Sequence, residues 1–165
     1  MTVTNANGTW GSAIHTNGGT IKNVKAAGAM RGIFMGSATA DVYIDNVSFN
    51  TVYTFNSDGG SKDYGVYIYN STMNGWTSYS NVHKEVVFDN CEFTEGKGYA
   101  FLRAYNNTEF KNCHFDADAE FEVQIVEGDV ATFENCYYGD TLITAENITT
   151  LGLLYSTDVS LVTVK

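Results

Sequence analysis

The chain has 165 residues, of which 44% are hydrophobic and only 17% charged, enough apolar material for one continuous core in a single domain, 1–165. A net charge of −10, with nine Lys and Arg scattered along the chain, argues against a nucleic-acid partner and an anionic membrane surface. No apolar run approaches the roughly 18 residues a membrane helix needs, and no signal-peptide pattern opens the chain, so membrane insertion is not expected and an export signal would lie elsewhere.

Eleven Tyr and ten Phe favour strands, and the absence of proline suits backbone N–H groups committed to hydrogen-bond ladders. Residues 1–19 are predicted to start a first coil. A six-residue unit then recurs along the chain. It reads Ile21-Lys22-Asn23-Val24-Lys25-Ala26 in its weakest form, then Ile44-Asp45-Asn46-Val47-Ser48-Phe49 and Ile68-Tyr69-Asn70-Ser71-Thr72-Met73. It returns as Phe88-Asp89-Asn90-Cys91-Glu92-Phe93, Phe110-Lys111-Asn112-Cys113-His114-Phe115 and Phe133-Glu134-Asn135-Cys136-Tyr137-Tyr138. Its six asparagines are separated by 23, 24, 20, 22 and 23 residues. Helical repeats of 33 or more residues do not fit this period, and leucine is too scarce for a leucine-rich repeat.

A coil of strands does fit, because each turn of a β-solenoid returns the chain about 4.8 Å higher and stacks equivalent residues in columns. Strand alternation points the first apolar residue and the closing residue of the unit inward and the intervening polar ones outward. Asn takes the bend, where it tolerates a left-handed backbone and reaches the Asn of the next coil. The slot after it accepts only small residues, so Cys91, Cys113 and Cys136 are predicted as packing residues, their spacing matching no metal pattern. Residues 141–165 are predicted to close the last coil as strands, with no capping helix. The chain is therefore expected to be all-β, a right-handed parallel β-helix of about six to seven coils with an internal Asn ladder, either a segment of a longer solenoid or one that stacks end to end or oligomerises.

Over residues 20–138 this pattern resembles the pectate-lyase-like right-handed β-helix superfamily, and the Asn-Cys-x-Phe units are most similar to repeats of bacterial or archaeal cell-surface adhesin-like proteins. The resemblance implies the fold and is nearly silent on activity. It implies an extracellular or cell-surface setting and a non-catalytic binding or structural module contacting glycans or a host surface protein. The alternatives are a fragment of a polysaccharide lyase or glycoside hydrolase, or a phage tailspike-like segment, which would trimerise.

Two candidate sites follow from the residues. Aromatic residues concentrate between 53 and 79, with Tyr53, Tyr64, Tyr67, Tyr69, Trp76 and Tyr79. Tyr67 and Tyr69 flank inward Ile68 and are expected to face outward, with Tyr43 one coil below Tyr67. Tyr43, Tyr67, Tyr69, Trp76 and Tyr79 are the candidate ligand-binding residues, since sugar C–H faces stack on exposed rings. The plain alternative is an aromatic ladder that only stabilises a sheet. The alternation Asp116, Asp118, Glu120, Glu122 is read as a strand with all its carboxylates outward. With Asp140 and Glu95 one coil away, Asp116, Asp118, Glu120 and Asp140 are the candidate Ca²⁺ ligands, the plain alternative being a solvated strand face. Catalysis has weaker support. Arg31 and Arg103 stand apart from any acidic triad, His15, His83 and His114 are scattered, and Asp45 and Asp89 make a stacked acid pair of a kind almost any β-helix face supplies.

Overall fold

The computed structural model describes residues 2–4, 11–28, 30–79 and 83–165. Apart from the 3₁₀ turn Val159–Leu161, every regular element among them is a strand. The strands wind into a β-solenoid of about five turns, fewer than the expected six to seven.

Each full coil contributes three strands, so parallel pairing builds three sheets along the axis. The first precedes the asparagines, and its inward column runs Ile21, Ile44, Ile68, Phe88, Phe110, Phe133, Val164. The second follows them, through Ala26, Phe49, Met73, Phe93, Phe115 and Tyr138. The third contains Ser12–Thr16, Arg31–Met35, Phe101–Ala104 and Glu122–Ile125, and its inward column passes through Ile33, Phe55, Thr77, Leu102, Val123 and Leu154.

All six repeat asparagines have φ between 49° and 56°, the left-handed conformation that Asn tolerates better than most residues. Amide-to-amide bonds join Asn46 to Asn23 (2.6 Å), Asn90 to Asn70 (2.8 Å) and Asn135 to Asn112 (2.8 Å). In the two intervals between these pairs the amide donates instead to a carboxylate, Asn70 to Asp45 (2.8 Å) and Asn112 to Asp89 (2.9 Å).

The interior is built by stacking like on like. Phe88 and Phe110 stack at 5.4 Å between centroids and Phe110 and Phe133 at 4.8 Å, while Phe93 and Phe115 do the same in the next sheet at 4.8 Å. Cys91, Cys113 and Cys136 are buried free thiols. Each Sγ donates weakly to two backbone carbonyls, and burial pushes the Cys113 thiol up in pKa.

The predicted closing strands form at Val162–Val164, and the structure corrects the stretch before it. Thr141–Leu142 turns back antiparallel on Tyr137–Tyr138, and Val162–Val164 adds a parallel strand to the first sheet. Between them an irregular segment lays Ile143, Ile148 and Leu153 over the core, each at most 3% exposed. No helix among the described residues is long and apolar enough to cross a membrane.

Candidate functional site

The five candidate ligand-binding residues fall in three places. Tyr43 and Tyr67 are neighbours on the outer face of the first sheet, stacked at 5.1 Å with 15° between ring planes. Their phenols are tied down. Tyr67 Oη donates to Glu85 Oε1 at 2.7 Å, and that hydrogen bond, with partial burial, raises its pKa well above the ordinary value. Tyr43 Oη donates to Asp41 at 3.2 Å. Tyr69 occupies the adjacent outward column between Asp45 and Asp89.

Tyr79 is corrected outright. It is 1% exposed, its ring packs against Phe55 and Phe88, and its hydroxyl meets Thr108 Oγ1 at 2.7 Å. Trp76 is outward and Thr77 inward, so parity carries Tyr79 inward three residues on.

Trp76 lies on the third sheet, surrounded there by Tyr53 of the same aromatic concentration and by three rings outside it, Tyr99, Phe101 and Tyr155. The outward column of this sheet reads Arg31, Tyr53, Trp76, Phe101, Glu122. Trp76 stacks with Tyr53 of the coil below at 5.1 Å and with Tyr99 of the coil above at 5.7 Å, and Phe101 meets it edge-on. Tyr155, from the C-terminal segment, meets Phe101 edge-on. Gly75 sets this geometry. Its φ of 122° and the Thr51 backbone carbonyl, with which any Cβ would clash, admit only glycine at the corner before Trp76.

Trp76, Tyr99, Phe101 and Tyr155 form one wall of a cavity of about 400 Å³ that Arg103 and Glu122 also line, with Tyr53 packed behind Trp76. Tyr99 and Tyr155 are 41% and 48% exposed. Arg103 Nε donates to Gln124 Oε1 at 2.9 Å, which fixes the guanidinium plane, and its central carbon lies 6.0 Å from the Trp76 ring centre. Because Trp76 is covered on both faces, the ring surface open to a ligand belongs to Tyr99 and Tyr155.

The acidic candidates do not share one strand face. The strand ends at Phe115, and residues 117–120 are a turn. Asp116 closes that turn, its Oδ1 accepting from the amides of Asp118 (3.0 Å) and Ala119 (3.1 Å) and its Oδ2 from Thr94 Oγ1 (2.6 Å). The Thr94 bond, then the two amides, hold its pKa below the usual carboxylate range. Glu120 has φ of 50°, Phe121 turns into the core, and Glu122 belongs to the third sheet. Asp116, Asp118 and Asp140 line one cavity with His114 and Tyr138, and Glu120 is not among its lining residues. Among the described residues no group of three or more His, Cys, Asp or Glu side chains is placed to hold a metal ion.

The remaining chemistry-bearing residues are engaged in structure. Asp45 pairs with Lys22 at 3.1 Å and accepts from Asn70, and these contacts, Asn70 first, lower its pKa. Arg31 lies 4.4 Å over the Phe34 ring. His83 is 4% exposed, with Nε2 at 2.8 Å from Ser57 Oγ, and burial lowers its pKa to about 4.

Parity could have found Phe101 and Arg103, since both flank inward Leu102. Tyr99 and Tyr155 carry no such signal, because one sits in a loop and the other in the irregular segment. Comparison with protein-family models, curated proteins and solved structures returned no match.

Proposed function

We propose that this chain is a non-catalytic, glycan-contacting module of a cell-surface protein, its coil a right-handed parallel β-helix of the pectate-lyase-like kind with the asparagines as its internal ladder. The observation that carries the reading is the cluster of Tyr53, Trp76, Tyr99, Phe101 and Tyr155 beside a cavity that also holds Arg103 and Glu122. Sugar rings need an apolar plate for their C–H faces and polar groups at the rim for their hydroxyls, and this surface has both. An acidic rod with few lysines and hydroxyl-rich turns suits an extracellular setting.

The test is a glycan-array screen in Ca²⁺ and in chelator, with product analysis on every hit. Binding without products, unchanged by chelator and lost in Trp76→Ala and Tyr99→Ala, is the expected result. Release of reducing ends or unsaturated products would replace this reading with that of a carbohydrate-active enzyme. Absence of any hit would remove the glycan.

A further inference from the structure

We infer that the cavity at Trp76 selects uncharged sugars, neutral hexose-type oligosaccharides in preference to uronic-acid oligosaccharides of the same linkage. The inference rests on the glycan reading and adds the substrate class.

The charges on the third sheet carry it. Both arginines of a chain with net charge −10 stand on this outer face, Arg31 below the aromatic rings and Arg103 within them. Within the cavity the two ionic groups have opposite sign and are not spent on each other, since no salt bridge joins Arg103 and Glu122 among the described residues. Arg103 offers donors only, and among the described residues its Nε donates to Gln124; Glu122 offers acceptors only.

A ligand must satisfy both groups once water leaves. A vicinal pair of sugar hydroxyls does so, because each hydroxyl both donates and accepts. A sugar carboxylate would gain Arg103 but stand near Glu122, where like charges repel in a partly desolvated site. A cationic amino sugar meets the mirror problem at Arg103. The negative faces of the rings also disfavour an anionic ligand, and Glu122 is the group whose removal tests the discrimination separately from them.

The test uses an array of neutral hexose oligomers printed beside their C6-oxidised uronate counterparts, matched in linkage and length, with the wild type, Glu122→Gln and Arg103→Gln. Neutral members are expected to bind about tenfold more tightly than their uronate partners. Glu122→Gln should close most of that gap by raising uronate binding, and Arg103→Gln should weaken binding of both series. Uronates bound as well as or better than neutral sugars, or a ratio unmoved by Glu122→Gln, would overturn the inference and leave the glycan reading standing. If no member binds, the glycan reading itself falls. A protein that sediments as a dimer and becomes monomeric in Tyr155→Ser would show the cavity to be filled by a second copy, which also overturns the inference.

Discussion

The first and third sheets both stack aromatic rings outside, and on the third the rings line a cavity. On the first sheet Tyr43 and Tyr67 stand in a regular column, and their hydroxyls are bound to Asp41 and Glu85 of their own surroundings. On the third sheet the approach to the strand varies from coil to coil. Only Gly75 separates Asn74 from Trp76, whereas residues 95–100 lie between Thr94 and Phe101 one coil later. The longer connection brings Tyr99 over the Trp76 ring, and the C-terminal segment adds Tyr155. Regular spacing yields a flat column whose hydroxyls are bound locally although Tyr43 stays 39% exposed; irregular spacing gathers exposed rings beside a cavity.

The largest expected effect falls inside the first sheet. Phe110 is fully buried and stacks on Phe88 and Phe133, so Phe110→Asp should abolish cooperative folding, and Phe110→Ala should cost about 3–5 kcal/mol in chemical denaturation. Lys111→Gln, on the outer face next to it, should change stability by less than about 1 kcal/mol, since it removes only a solvent-exposed pair with Glu109. Similar losses in Phe110→Ala and Lys111→Gln would mean that the two faces of this sheet are not distinguished.

Next is acid sensitivity at the corner joining the third sheet to the first, where His83 is buried against Ser57. Its folded pKa of about 4 lies below the unfolded value near 6.5, so the unfolded chain takes up the proton first. Stability is fully present above about pH 6.5 and falls as pH drops toward 4, by on the order of 3 kcal/mol. Urea denaturation at stepped pH should show this slope, and His83→Gln should flatten it. An unchanged slope in that variant would assign the acid loss to carboxylates instead.

The smallest effect separates the two aromatic surfaces directly. Trp76→Ala should weaken binding to any array hit by about 2 kcal/mol, roughly thirtyfold, while Tyr67→Phe should leave binding intact and reduce stability by at most about 1 kcal/mol through loss of the Glu85 bond. Equal loss of binding in both would move the ligand onto the first sheet.

The asparagine comb made the coil legible, because a constant period stacks each Asn at a left-handed bend and each following small residue in a buried slot. The inward Phe residues of the first two sheets followed from parity. Of the candidate site, the aromatic concentration made Trp76 and Tyr53 legible, and the acidic alternation contained Glu122 without placing it there. Tyr99 and Tyr155 depend on loop length and on a segment without periodicity, neither of which a repeat encodes. Tyr79 was assigned by aromatic density although parity from Trp76 already sends it inward. The acidic alternation looked like a strand, but the Asp116 carboxylate caps its own following amides and ends the strand there.

The column of three buried thiols gives the rod an internal reporter. Thiolate is the form that alkylating reagents attack, and burial together with carbonyl contacts keeps these sulfurs out of reach while the coils stay closed. Modification must then wait for an opening, and each cysteine marks a different coil. The order in which Cys91, Cys113 and Cys136 become labelled under native conditions therefore reads out the direction in which the solenoid unwinds, without any residue being introduced to report on it.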